Sequence, residues 1–550
     1  MILRPKVGVG RLDVVFVGSL GALTVWTGLS YLWSGSPPQT MLELERMVMY
    51  FGGSVALLLV VRRRSFAAAL GGLLAADVVL CGYALATRLL PDRVDQQGSS
   101  AGFRLAGVFG YPNALGIIAV LGLLLALGFS ADSQRALVRA SAAAATVPLV
   151  LALTFANSRG SWVSLAVGLA AALALTPWRR RVLRALVPLA TVGALAVWLA
   201  SRSQPLMRWD DPRAAAPDGH RLLVASILLG VAAAVISARP ARALLGLALA
   251  VGVLAVVVAP SGSRPIVATP ASTAPVAPGS PAPGTTPGDR LFSSTSNSRT
   301  EYWRVAAAAF IHHPVAGSGA GTYVREWYRE RRIKAPVLDA HSLYLETLAE
   351  LGVVGLVLLL TALAVPLVAA RRVRSEPYVV GAFGAFVAFA AHASVDWDWE
   401  LPAVTFAGIF CGGLLVVAAR GEREALVLDR RPRGLLIALL LALMAFSFAG
   451  LVGNRASAAA IGAAATRDWR TSEVEAQRAE RWAPWSADAL ALAADAANAR
   501  GESARARALL RRAVRKDPQD FRLWARLAAV TTGEERRGAL RRVARLNPLG

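Results

Sequence analysis

The chain has 550 residues, 55% of them hydrophobic, which is too apolar for a soluble globular protein of this size. Its formal net charge is +24, carried almost wholly by arginine, since Lys6, Lys334 and Lys516 are the only lysines. Such a charge invites a nucleic-acid partner, but the basic residues lie in short clusters between apolar runs, so no nucleic acid is expected.

In chain order, about thirteen segments approach the roughly 20 apolar residues that a bilayer span needs. They fall at 13–33, 47–61, 66–87, 112–131, 140–157, 161–177, 183–200, 222–238, 243–259, 347–370, 378–395, 402–419 and 434–453. The first lacks an Ala-x-Ala cleavage site and is followed by further spans, so it reads as a retained span and not a signal peptide. Basic clusters follow every even-numbered span: Arg62 to Arg64, Arg135 and Arg139, Arg179 to Arg181, Arg239 and Arg242, Arg371 and Arg372, and Arg420 to Arg433. The positive-inside rule makes those loops cytoplasmic. The N-terminus is then cytoplasmic. Arg159, the loop 260–343, Asp396 and everything after 453 face outward from a multi-pass plasma-membrane protein.

Cys81 and Cys411 both fall inside predicted spans, so no disulfide framework is expected. Asp77 lies within the third span, where a carboxyl group is costly and often functional, but the sequence names no partner for it. Four regions result: membrane spans over 1–259, an outer loop over 260–343, further spans over 344–453 and a soluble unit over 454–550. Residues 260–290 are rich in proline and small residues and read as a semi-extended linker. In the last region Pro484 and Pro518 are 34 residues apart, each just past an alanine-rich helical pattern. That period reads as tetratricopeptide repeats, or alternatively as a plain helical bundle, and in either form as a site for a protein partner.

The most concentrated chemistry runs from Asn297 to Gly355. Ser298-Arg299 opens a helix whose Trp303, Ala306, Ala307 and Phe310 recur at helical spacing. His313-Pro314 ends it, and Gly317, Gly319 and Gly321 allow close backbone approach. His341 stands just before the next apolar run, which carries Glu350-Leu-Gly352.

This pattern resembles the O-antigen ligase and polymerase family, whose outer loop also has an arginine before a tryptophan, a Pro-x-x-Gly-x-Gly turn and a histidine leading into Glu-x-Gly. Phe109 to Ala114, Asn157 to Trp162 and His392 to Trp397 are similar to further pieces of the family, and the likeness covers roughly residues 100 to 415. It implies an all-α membrane bundle of about 12–13 spans, similar to the GT-C fold, followed by the helical repeats. It also implies transfer or polymerisation of a polyprenyl-diphosphate-linked glycan onto a glycan, lipid or protein acceptor at the outer face of the bilayer. In that mechanism arginines hold the diphosphate, a histidine takes the acceptor proton, the anomeric centre inverts, and neither metal nor cofactor takes part.

His341 is the candidate base, because a neutral imidazole accepts a proton near neutral pH. Arg159 and Arg299 are the candidate diphosphate ligands, with Arg104 a further one, because the guanidinium fork suits phosphate oxygens. Each has a plainer reading: Arg159 as an interfacial anchor, Arg299 as a solvated charge, His341 as a backbone-satisfied histidine. Trp303, Asp396, Trp397 and Asp398 are candidate sugar or acceptor ligands, although tryptophans there also suit an interfacial aromatic belt. Asp396-x-Asp398 could bind a divalent cation with a nucleotide sugar, but nucleotide sugars are cytoplasmic and this loop is expected outside.

A transporter or flippase of the same substrate remains as a second reading, and a cell-wall polymerase of the shape-and-division type as a third. A transporter should carry its polar groups at the bilayer midplane. Reporter fusions after Arg64, Arg181 and Arg372 should read cytoplasmic, and fusions at Ser280 and Gly501 should read outside. A cytoplasmic result at Ser280 would put the candidate site on the wrong face.

Overall fold

The computed structural model describes residues 6–94, 102–238, 298–421, 425–427 and 430–550. The predicted span 243–259 and the proline-rich segment 260–290 lie outside them. The fold is all-helical except for one short antiparallel ladder, β1 (Lys6–Gly8) against β2 (Ala425–Val427).

The membrane bundle consists of α1 (Arg11–Leu29), α2 (Pro37–Val60), α3 (Phe66–Leu89), α4 (Pro112–Asp132), α5 (Ala136–Ala156), α6 (Arg159–Leu175), α7 (Arg179–Arg202), the single turn-and-a-half α8 (Gln204–Arg208) and α9 (Pro212–Ala238). After the outer-loop helices α10 (Arg299–His312) and α11 (Tyr323–Glu330) it resumes with α12 (Leu343–Arg372), α13 (Val379–His392) and α14 (Pro402–Ala418). Eight described helices have the length and apolar composition to cross a membrane, and α6, α13 and α14 are shorter apolar helices beside them. Proline at the first turn starts α2, α4 and α14, where its missing N–H costs nothing.

α2 extends ten residues further toward the N-terminus than its predicted span. Glu43 and Arg46 broke the apolar run there, and they are accommodated by pairing: Arg46 bridges Glu43 at 3.0 Å and Glu400 at 3.1 Å. α4 is buried along nearly its whole length at the centre. α13 packs on both α4 and α6, and small residues allow it: Gly381 lies against Gly128, and Gly384 against Gly168. Asp77 is buried within α3, and its Oδ2 finds no hydrogen-bond partner among the described residues. Cys81 and Cys411 are free and buried.

α12 is broken at Gly352, whose φ of 66° lies in the left-handed region. The helix break frees backbone groups in an apolar setting, where leaving them unpaired is costly. The Gly-rich turn supplies the partners. Ser318 and Gly319 donate to the carbonyls of Ala349 and Glu350 at 3.0 and 2.9 Å, and Val353 donates to the Pro314 carbonyl at 2.9 Å. Trp26 Nε1 donates to the Leu351 carbonyl at 3.0 Å. Gly317 is required, because a side chain there would collide with the Glu350 backbone. The Glu350 carboxylate accepts from the N–H groups of Gly321 and Tyr323, both at 2.8 Å, and so caps the N-terminus of α11.

α15 (Arg430–Ala465) has 36 residues, about 54 Å at helical rise, and runs unbroken past residue 454 into the C-terminal unit. That unit continues as α16 (Trp469–Trp482), α17 (Asp488–Ala499), α18 (Ser503–Lys516), α19 (Phe521–Val530) and α20 (Gly533–Leu546). It has its own core, with Leu490, Ala494, Leu510, Leu523 and Leu527 buried together. It also docks onto α11. Arg325, 3% exposed, reaches Asp517 at 2.6 Å and Asp520 at 3.2 Å, and the Ser36 hydroxyl donates to the same Asp517 oxygen at 2.6 Å.

Removing one member of a buried ion pair typically costs about 3–5 kcal/mol, because the other charge stays buried alone. Arg325→Ala should destabilise the docked protein by that order, and Arg325→Met with Asp517→Leu should recover much of the loss. A double-mutant cycle on thermal unfolding in detergent measures this. Strictly additive losses would contradict the clamp.

Candidate active site

The site is built around one carboxylate. Asp396 sits in the loop between α13 and α14 and is 1% exposed. Its Oδ1 accepts from the Tyr111 hydroxyl at 2.7 Å and the Trp397 N–H at 2.9 Å. Its Oδ2 accepts from Asn113 Nδ2 at 2.6 Å and Arg299 Nη2 at 2.8 Å. Burial alone would raise the Asp396 pKa. The charges at His392 and Arg299 and the Tyr111 hydroxyl outweigh it and hold the group below the ordinary carboxylate range. Asp396 is therefore an anion at neutral pH.

Further hydrogen bonds orient these donors. Arg104 Nε donates to the Ala156 carbonyl at 2.9 Å, and its Nη2 donates to Asn113 Oδ1, which turns the Asn113 amide nitrogen toward Asp396. The Trp397 ring lies on the Tyr111 ring with centroids 4.6 Å apart. Behind the carboxylate runs a fully buried chain: Ser161 Oγ lies 3.2 Å from His392 Nε2, and His392 Nδ1 lies 3.2 Å from Asp398 Oδ1. It ties the start of α6, which begins at Arg159, to the end of α13 and the Asp396 loop. Gly160 fits there because a side chain would press on the His392 ring.

His341 is half-buried between α11 and α12. Its Nδ1 donates to the Asp339 carbonyl at 3.2 Å, since a carbonyl can only accept. In the neutral ring that leaves Nε2 as the basic nitrogen. Burial lowers its pKa below the ordinary 6.5, against the opposing pull of Asp396. The ring rests 5.0 Å from that of Tyr302 on α10.

Three site segments adopt left-handed backbone without glycine: Asn157 at φ 47°, Ser298 at φ 59° and His341 at φ 54°. Each stands at or within two residues of a candidate functional residue, and strain of this kind persists where surrounding contacts impose it.

The structure thus joins Arg299 and Trp397 to Asp396 directly and Arg104 to it through Asn113, and places Arg159 and His341 at the same end of the bundle. Asp396 and Asp398, read from sequence as sugar ligands, are both buried and engaged by protein groups. Trp303 is half-buried on α10, and its indole N–H meets no acceptor among the described residues. Tyr111, Asn113, Ser161 and His392 lie in the family-like motifs but carry no role legible from sequence. Their signal was a polar group beside a span end. Among the described residues, no group of three His, Cys, Asp or Glu side chains could hold a metal ion.

Residues 219–360, which include Arg299 and His341, match the sequence model of the O-antigen ligase family. Over those residues the chain is similar to the O-antigen ligases. Residues 487–530 match a tetratricopeptide repeat, in keeping with the 34-residue period. No curated protein sequence matches the chain. Together with the apolar helices, this match supports a multi-pass membrane enzyme of the ligase or polymerase kind.

In this ligase-like site Asn113 is the joint between Arg104 and Asp396. Asn113→Ala leaves a buried charge one donor short, which typically costs about 1–3 kcal/mol. A lowered unfolding temperature in detergent is expected. An unchanged one would show that Asn113 does not bind the two halves of the network.

Proposed function

We propose that the chain is an inverting glycosyltransferase acting on a polyprenyl-diphosphate-linked glycan at the outer face of the plasma membrane. The observation that carries this is Arg299: its Nη2 is fixed by buried Asp396, while its side chain stays 25% exposed with further N–H donors to offer. An arginine aimed in this way suits an incoming phosphate, and the charge it stabilises grows as the leaving group departs. Arg159, at the N-terminus of α6, adds a second cation on the same end of the bundle.

The acceptor hydroxyl attacks the sugar C1, and the C1–O bond to the diphosphate breaks. The bonding pair leaves with the phosphate oxygen. The hydroxyl proton passes to His341 Nε2. A depressed pKa suits that role, because the imidazole is already neutral at pH 7. Trp397 and Trp303 offer aromatic faces to sugar rings.

The break in α12 would also suit a transporter, in which unwound backbone meets substrate. Here the freed groups around Gly352 are taken by the Gly-rich turn and Trp26. That supports an enzyme over a carrier.

His341→Ala should lower transfer by roughly 10²–10⁴-fold while leaving donor binding nearly intact. Arg299→Ala should weaken both, and lysine should rescue only in part because it lacks the fork. Wild-type transfer should be level around pH 7 and fall only as pH drops through a histidine pKa below 6.5, since His⁺ cannot accept a proton. The assay is transfer from a polyprenyl-diphosphate donor in proteoliposomes, with donor binding followed separately. Full activity in His341→Ala would remove the histidine from the mechanism.

A further inference from the structure

α6 and α7 are consecutive and antiparallel, joined by the short turn 176–178, yet they do not close on one another. α6 leans on α4, and α7 on α4 and α5. Between them lies a groove of about 500 Å³, floored by Leu124 and Val150 and walled by Leu169 of α6 and Gly193 of α7. That volume falls within the range of about 300–1,000 Å³ typical of small-molecule sites. Along α7 the lining runs from Leu186 to Trp198, a rise of about 18 Å, or roughly half of a bilayer's apolar core.

The mouth of the groove is at the same end as Asp396, and each wall ends there in a tryptophan below an arginine. On α6, Trp162 lines the groove, and Arg159 stands three residues earlier on the same helical face. On α7, Trp198 lines the groove, and the Arg202 guanidinium lies over its ring, 5.4 Å from the centroid. Arg202 forms no ion pair among the described residues. An apolar channel beneath two cations matches an amphiphile with a long hydrocarbon chain and an anionic head.

We propose that this groove takes the isoprenoid chain of the lipid-linked donor, with Arg159 and Arg202 flanking its diphosphate. This rests on the glycosyltransferase reading above and adds the tail site and Arg202 to it. The donor is favoured over bulk phospholipid by continuity: the mouth opens at the start of α6, which the Ser161–His392–Asp398 chain ties to the Asp396 loop.

Gly193→Leu fills the groove without a backbone clash, because a Cβ there meets only the Val150 methyls at 3.8 and 3.9 Å. In proteoliposomes, transfer is measured from a long-chain polyprenyl-diphosphate donor and from a two-isoprene analogue. Gly193→Leu should raise KM for the long donor at least about tenfold more than for the short one, since only the long chain loses buried apolar area. Arg202→Ala should raise KM for both donors, and Arg202→Lys should restore part of it. A benzophenone-bearing polyprenyl diphosphate should cross-link to Leu169 and to α7.

Equal KM changes for long and short donors would overturn the groove assignment. So would cross-linking by a phospholipid probe alone, or a groove cross-link to residues 243–259 that the long-chain probe cannot displace. If wild type transfers from the long donor while Gly193→Leu behaves as wild type, only the groove assignment falls. If wild type transfers from no polyprenyl-diphosphate donor, the glycosyltransferase reading falls with it.

Discussion

A buried negative charge at the end of an apolar bundle dictates much of what surrounds it. Asp396 has almost no solvent, so its ionised form persists only while donors surround it. Those donors come from far apart in the chain: Tyr111 and Asn113 just before and within α4, and Arg299 from the outer loop. Satisfying one carboxylate therefore draws three segments together, and Arg104 locks the amide that joins two of them. The same carboxylate aims Arg299 toward the open side and biases the charge state of His341.

A second constraint sits at Gly352. The broken α12 must regain backbone partners, and only a glycine-rich turn can approach closely enough to supply them. Glu350 extends that join by capping α11, and α11 passes it on through Arg325 to Asp517 and Asp520 of the C-terminal unit. A continuous set of hydrogen bonds and ion pairs thus runs from the helix that follows His341 to the tetratricopeptide region. The C-terminal unit is thereby pinned to the loop that carries α11.

Most of the bundle could be read from the sequence because a membrane span is a local, compositional signal. The runs at 66–87, 112–131 and 183–200 became α3, α4 and α7 with small shifts at their ends. The start of α2 was obscured because Glu43 and Arg46 are paired in three dimensions and look like loop charges in one. The repeat period was legible for the same local reason. Arg325–Asp517 was not, since nothing periodic links residues 192 apart. His341, Arg299 and Arg159 became candidates through short motifs. The surroundings of Asp396 and Asp398 were harder to read: Asp-Trp-Asp-Trp looks like an exposed sugar platform, but both carboxylates face inward to His392, Asn113 and Arg299. Left-handed backbone at Asn157, Ser298 and His341 is only weakly marked on sequence, because asparagine and histidine favour it modestly and serine does not.

The most direct test of Asp396 as the organising charge is the transfer rate of Asp396→Asn in proteoliposomes, with thermal unfolding followed in parallel. Asparagine keeps the shape of the side chain and removes its charge, so the bundle should still fold while Arg299 loses the group that aims it. Transfer should fall at least about tenfold, because small misplacements of an aligned group cost that much or more. Transfer at the wild-type rate by a folded Asp396→Asn protein would contradict the central role of this carboxylate.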